Sequence, residues 1–282
     1  ARLDVESARI TALWPLGHKD HAVAGASLDP SDRDDAIAIA TWPVHGLYLP
    51  DAIGQFRHRG RTLLVTANEG DARDYDGFAE ARRVSALTLD PVVFPDAGAL
   101  KANARLGRLN VTTTLGDTDQ DGDHDALYAF GARSISVWDA ATGAQVADTG
   151  DALERLTAAA APAHFNSNNT ENSFDTRSDD KGPEPEGLSV ADLFGRPYAL
   201  VTLERSGGVV AFDLSDPAAP RVAGFFNDRS FSGDPQADTA GNLGPESALV
   251  IAAEHSPTGE PLLVVGYEVS GSTGIYRIRP AD

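Results

Sequence analysis

Residues 185–217 read PEGLSVADLFGRPYALVTLERSGGVVAFDLSDP. Apolar and β-branched residues gather in three short runs, LSVADL, YALVTL and VVAFDL, and polar or glycine-rich turns separate them. Runs of about six residues broken by such turns predict a meander of antiparallel strands. The same plan occurs at 50–70, PDAIGQFRHRGRTLLVTANEG, and at 245–271, PESALVIAAEHSPTGEPLLVVGYEVSG. Each copy opens on proline plus an acid: Asp51, Glu186 and Glu246. Each second strand ends on a glutamate: Glu69, Glu204 and Glu268. The two acids are 18 positions apart in the first two copies and 22 in the third, where the turn HSPTGEP is longer.

Four-stranded meanders at repeats of about 40–60 residues predict an all-β fold of the β-propeller type. A β-sandwich is the alternative, but it gives no reason for acids to recur at one strand position. The expected units are a blade at 50–104, a blade with an aspartate loop at 105–151, and blades at 184–228 and 245–280. Residues 1–17 read as the outer strands of an incomplete blade. That makes about four to five blades, part of a larger propeller of about seven. Only FPDAGALKANARLG and DALERLTAAAAPA have helical composition. Two polar stretches, 17–48 and 161–184, read as long loops, which in compact domains are often functional.

Composition narrows the function classes. The 282 residues include 42 acidic against 23 basic, a net charge of −19, with a pI near 4.6. Such a surface repels nucleic acid and anionic membranes and attracts cations. Without cysteine, neither disulfides nor thiolate chemistry are available. No apolar run has transmembrane length. The absence of methionine, even at position 1, leads us to expect a processed or truncated product.

The strongest chemical signal is GDTDQDGDHDALYAFG, 116–131. Asp117, Asp119, Asp121, Asp123 and Asp125 alternate, with Gly122 among them. Aspartates at loop positions 1, 3, 5 and 9, with glycine at 6, match a calcium loop. The glutamate that an EF-hand carries at position 12 is replaced by Tyr128. A solvated acidic turn is the alternative reading. Calcium suits a flexible carboxylate cage better than Mn²⁺ or Mg²⁺ does.

The repeated acids are the second signal. If the repeats are blades, Asp51, Glu69, Glu186, Glu204, Glu246 and Glu268 form a ring at one mouth. Six converging carboxylates need cations or arginines such as Arg73 and Arg205. A second divalent metal such as Mn²⁺ could sit there; hydrogen bonding to backbone at blade junctions is the bland alternative. His18, His21, His45 and His164 read mainly as loop bystanders, His21 least so.

The segments LGHKDH, VTANEGDARDYDGF, SDDKGPEPEG and LERSGGVVAFDLSDP, with the aspartate loop and the 245–271 repeat, occur together in order. In them the chain resembles the C-terminal half of the choice-of-anchor I family. These are large bacterial secreted or surface-attached proteins, some labelled alkaline-phosphatase-like or mesenchyme-specific cell-surface glycoprotein homologues. The resemblance implies a propeller distantly similar to calcium-dependent phosphatases and phytases, and a secreted, periplasmic or cell-surface location. It also implies that several blades are missing, so the N-terminal half of the propeller, or another fragment of the same protein, is the expected partner. Two functions follow as expectations. One is a metal-dependent phosphoric-ester hydrolase, with Arg205, Arg73 and His21 as candidates for binding or catalysis. The other is a non-catalytic, calcium-stabilised adhesion or matrix-binding propeller. Neither expects nucleic acid or membrane insertion.

Overall fold

The computed structural model describes residues 1–280. It is all-β, and its only α-helices among those residues, Ala97–Leu100 and Ala152–Ala160, fall where the composition predicts them.

Three antiparallel sheets carry the architecture. The second follows the chain directly: Pro185–Leu193, Arg196–Leu203, Val209–Asp213 and Arg221–Phe226, each paired with the next. Its first hairpin closes on Phe194–Gly195, with φ of 52° and 80°. The hairpin of Ala52–His58 with Arg61–Asn68 closes in the same way on Arg59–Gly60, at 49° and 80°. Two successive positive φ values give the turn whose twist matches paired strands, and glycine at the second place makes it cheap. The third sheet has three strands, Pro245–Ile251, Leu262–Tyr267 and Ser272–Arg277.

The first sheet differs from the sequence reading. Its order is Gln145–Asp148, Ser134–Asp139, Arg61–Asn68, Ala52–His58. It therefore draws strands from both 50–104 and 105–151, which had been read as two separate blades. Every residue of Ser134–Asp139 is buried, and side chains lock it to its partner. Trp138 Nε1 donates to Thr66 Oγ1 at 2.9 Å, and Asn68 Nδ2 donates to Ser136 Oγ at 2.8 Å. The intervening chain builds a mixed five-stranded sheet with His18–Asp20 and His45–Leu47. That sheet has its own core around Leu28, Val84, Leu106 and Val111. The N-terminal strands Arg2–Asp4 and Arg9–Ala12 form an exposed two-stranded hairpin.

The three main sheets pack in chain order. Phe56, Val65, Ile135, Val201 and Phe212 share one core across the first and second sheets. Leu200, Val209, Val265 and Tyr267 share another across the second and third. The opening strand Pro185–Leu193 lies beside both Ala52–His58 and Pro245–Ile251. Small residues permit this. A Cβ on Gly54 would lie 2.5 Å from Val190 Cγ2, and one on Gly187 would lie 2.4 Å from the Glu246 carbonyl oxygen. No closed barrel or ring forms among the described residues.

Candidate metal centre

The three hairpins meet at their acidic ends. Asp51 directly precedes its opening strand, and Glu69, Glu204 and Glu268 each directly follow a return strand. Antiparallel pairing sets the start of one strand beside the end of its partner. Thus Ala52 faces Ala67, Pro185 faces Leu203, and Pro245 faces Tyr267. Glu186 and Glu246 sit in register breaks just after Pro185 and Pro245. Such bulges bend a strand and redirect its side chains.

All six predicted ring acids come together in overlapping groups. Carboxylate oxygens of Asp51, Glu69 and Glu186 lie within 4.8 Å of one another, as do those of Glu204, Glu246 and Glu268. Glu184 links the two, because Glu69, Glu184 and Glu204 form a third such group. Glu69, Glu184, Glu186 and Glu204 are buried, while Asp51, Glu246 and Glu268 face solvent.

Glu184, Arg177 and Lys181 were not anticipated from sequence. Arg177 Nε lies 2.7 Å from Glu184 Oε1, and Lys181 Nζ lies 3.2 Å from Oε2 and also meets Glu69. Arg205 Nε lies 3.1 Å from Glu204 and 3.3 Å from Glu184. Burial would push the Glu184 carboxyl up, but Arg177, Lys181 and Arg205 together hold it below its ordinary value. Burial would lower Lys181, but Glu184 and Glu69 hold its ammonium above the ordinary value. The acid-rich stretch SDDKGPEPEG was visible in the sequence, but nothing local separates Glu184 from its neighbours.

Three cations cannot balance seven carboxyls, and the remainder respond. Burial, then the nearby Glu69, Asp51 and Glu246 charges, pushes Glu186 up to about 9. Burial also pushes Glu69 and Glu204 up to about 7, against the pull of Lys181 and Arg205 respectively. Glu186 Oε2 is buried with no hydrogen-bond partner. A buried carboxyl oxygen without a hydrogen-bond partner is unfavourable by about 1–3 kcal/mol. An all-oxygen set of this kind, with one acceptor left open, fits a hard divalent cation.

Arg205 thus joins the ring, whereas Arg73 does not. Arg73 Nε donates to Glu80 Oε2 at 2.9 Å, and its guanidinium stands over Phe78. His21 is buried in the five-stranded-sheet region, with Nδ1 2.5 Å from the Ala26 carbonyl oxygen. Burial, then Lys19, lowers it to about 3, so its ring stays neutral. No ring acid is among its hydrogen-bond partners. His18, His45 and Tyr128 form a cluster of tilted and edge-on ring contacts, and His164 stacks on Phe231.

The aspartate loop makes a second oxygen cluster. Asp117, Asp119 and Asp125 converge, and Asp125 also joins Asp123 and Asp90. Asp90 was missed, because it arrives through the parallel bridge of Leu89 with His124. Asp121 belongs to neither group; its carboxylate accepts from Asp123 N at 3.1 Å. Gly122 takes φ 100°, as the sharp turn requires, and donates to Asp117. Asp117 Oδ1 and Asp123 Oδ1 are buried without hydrogen-bond partners.

A family model described as the choice-of-anchor I domain matches residues 1–217. The chain belongs to the choice-of-anchor I family. It is also similar to Gigasin-3a of Magallana gigas, 31% identical over 200 residues, 65% of this chain and 68% of that protein. Choice-of-anchor I membership points to a secreted or surface protein. No helix among the described residues is long and apolar enough to cross a membrane. The matched region of this choice-of-anchor I chain contains the aspartate loop and four of the six ring acids. Glu246 and Glu268 come from the stretch beyond it.

Proposed function

We propose that this chain is a secreted or surface metal-binding β-propeller, or part of one, whose acid ring holds divalent cations. The observation that carries this is Glu186 Oε2, buried and without a donor where three hairpins bring their acids together. Sheets packed in chain order, with neighbouring opening strands and acids at a common end, support the propeller. Ring closure would need further strands, from another stretch of the same protein or a separate fragment. Calcium is the ion for the aspartate loop, which ties the turn to the following strand; calcium or Mn²⁺ suits the ring.

The reaction class this arrangement supports best is hydrolysis of phosphate esters. Asp51, Glu69 and Glu186 would hold one cation, and Glu204, Glu246 and Glu268 another. Bound divalent ions would supply Lewis acidity toward a phosphoryl oxygen and an activated water. Arg205 fixes Glu204 and Glu184, and Lys181 fixes Glu69, so the buried acids are oriented in advance. The test is metal content by plasma mass spectrometry after dialysis, with turnover of p-nitrophenyl phosphate in calcium and manganese. Several bound ions and turnover lost in Glu186→Gln are expected. One bound calcium per chain and no turnover would refute the hydrolase.

A specific observation favours a second reading, a non-catalytic binding propeller. Arg177, Lys181 and Arg205 are each already engaged by ring carboxylates, which among the described residues leaves no free cation beside the ring for a phosphoryl group. That reading expects calcium to raise the melting temperature without any turnover.

A further inference from the structure

The antiparallel pairing of His18–Asp20 with His45–Leu47 sets Asp20 directly opposite His45, and the parallel pairing beside it sets Tyr128 next to His45. Side chains two apart on a strand share a face. His18, Asp20, His45 and Tyr128 therefore stand together on one face of the five-stranded sheet. The burial pattern agrees, because Lys19 and Gly46, on the opposite face, are buried.

The three rings are in contact. The His18 and His45 ring centres lie 4.4 Å apart, and Tyr128 stands 5.3 Å and 5.1 Å from them, so it backs both imidazoles. His18 is exposed. His45 is half-buried; its Nδ1 is enclosed without a hydrogen-bond partner, which leaves Nε2 as the nitrogen that solvent reaches. Packing alone does not require two imidazoles here, since an apolar ring would fill the same place without enclosing an unpaired nitrogen. Asp20, His45 and Asp125 line one open cavity of about 260 Å³, so a cation is drawn to the place and can enter it.

Two imidazoles on one ion, with bonds of about 2.0–2.1 Å, have ring centres about 4.5 Å apart at a right-angle bite and about 5.2 Å apart at a tetrahedral one. The 4.4 Å separation of His18 and His45 fits the right-angle bite of a square-planar ion.

We propose that His18 and His45 bind a late divalent transition ion, copper(II) above zinc, through one nitrogen each, with Asp20 as the neighbouring anion and water in the remaining positions. Such ions favour imidazole, whereas calcium favours carboxylate oxygen. The site is therefore chemically distinct from the acid ring and the aspartate loop, and it stands whether or not the ring is catalytic.

The test is calorimetric titration of the whole chain with copper(II), and separately with zinc, in excess calcium, which fills carboxylate sites without competing for imidazole. Copper should bind with a Kd of about 10 µM or tighter, and zinc about tenfold more weakly. Electron paramagnetic resonance should show two nitrogen ligands on the copper. His18→Ala and His45→Ala should each weaken binding about tenfold or more and remove one nitrogen, while His255→Ala, at an exposed histidine on another sheet's turn, should change nothing. Circular dichroism checks that each variant folds; His18 is exposed, so its replacement keeps the test open if His45→Ala does not fold. Absence of copper binding, a copper signal with oxygen ligands only, or binding indifferent to His18→Ala would overturn the proposal. Zinc binding tighter than copper would overturn the square-planar assignment.

Discussion

Glu186→Gln tests the central electrostatic argument. In the folded protein this carboxyl keeps its proton to about pH 9, against an ordinary value of 4.5. Below about pH 4 it is protonated both folded and unfolded, and makes no difference. As pH rises, the unfolded chain releases the proton while the folded chain retains it. Stability is therefore lost from about pH 4 upward, until the folded group also ionises. At pH 7 the loss is about 2.5 pH units at 1.36 kcal/mol each, on the order of 3 kcal/mol. Glutamine cannot ionise, so the variant should be more stable than the parent in EDTA at pH 7 by up to that amount. For a domain of this size that is about 6–10 °C in melting temperature. At pH 4 the two should coincide. Calcium should reverse the order, since an ion held by the ionised carboxylate stabilises the parent and not the variant. The assay is thermal denaturation followed by circular dichroism between pH 4 and 8, with and without calcium. Parallel curves for the two proteins in EDTA would refute the burial argument. An unchanged response to calcium in the variant would refute Glu186 as a ligand.

Four further outcomes are expected. Gly187→Ala places a Cβ 2.4 Å from the Glu246 carbonyl oxygen, and urea denaturation should show a loss of about 1–3 kcal/mol together with weaker metal binding at the ring. Asp125→Asn touches both oxygen groups of the aspartate loop, and calorimetry should find calcium binding there about tenfold weaker while ring-dependent properties persist. Arg133→Met leaves Glu154 buried without its partner and should lose about 3–5 kcal/mol, most of it regained when Glu154→Gln is added. His21 titrates at about 3, below its ordinary 6.5, so it contributes stability above pH 6.5 that is lost as pH falls toward 3; its ring resonances should stay unmoved from pH 8 to 5.

Much of this protein was legible because the signals are local. Strand and turn residues alternate over a few positions, so the hairpins at 52–68, 185–203 and 245–267 follow from side-chain chemistry alone. Proline–acid openings and terminal glutamates mark matching ends of hairpins; antiparallel pairing sets the two ends of each hairpin side by side, and packing of the sheets brings the three hairpin ends together. The spacing of the aspartate loop likewise placed Asp117, Asp119 and Asp125 in one cluster.

Other features depended on contacts that sequence spacing does not encode. Ser134–Asp139 chose Arg61–Asn68 as its partner across a long excursion, because Trp138 and the serines find Thr66 and Asn68 there. Asp90 joined the aspartate loop through a bridge with His124. Arg73 and Arg205 look alike in sequence, yet Glu80 captures the first while the acid ring captures the second. Lys181 and Glu184 became the centre of the ring's charge balance, and Arg229 was left buried without a carboxylate. Local composition determined which residues are strands and which are ligand types. The tertiary structure decided which charges meet, because burial and neighbouring charge are set by chain segments far apart in sequence.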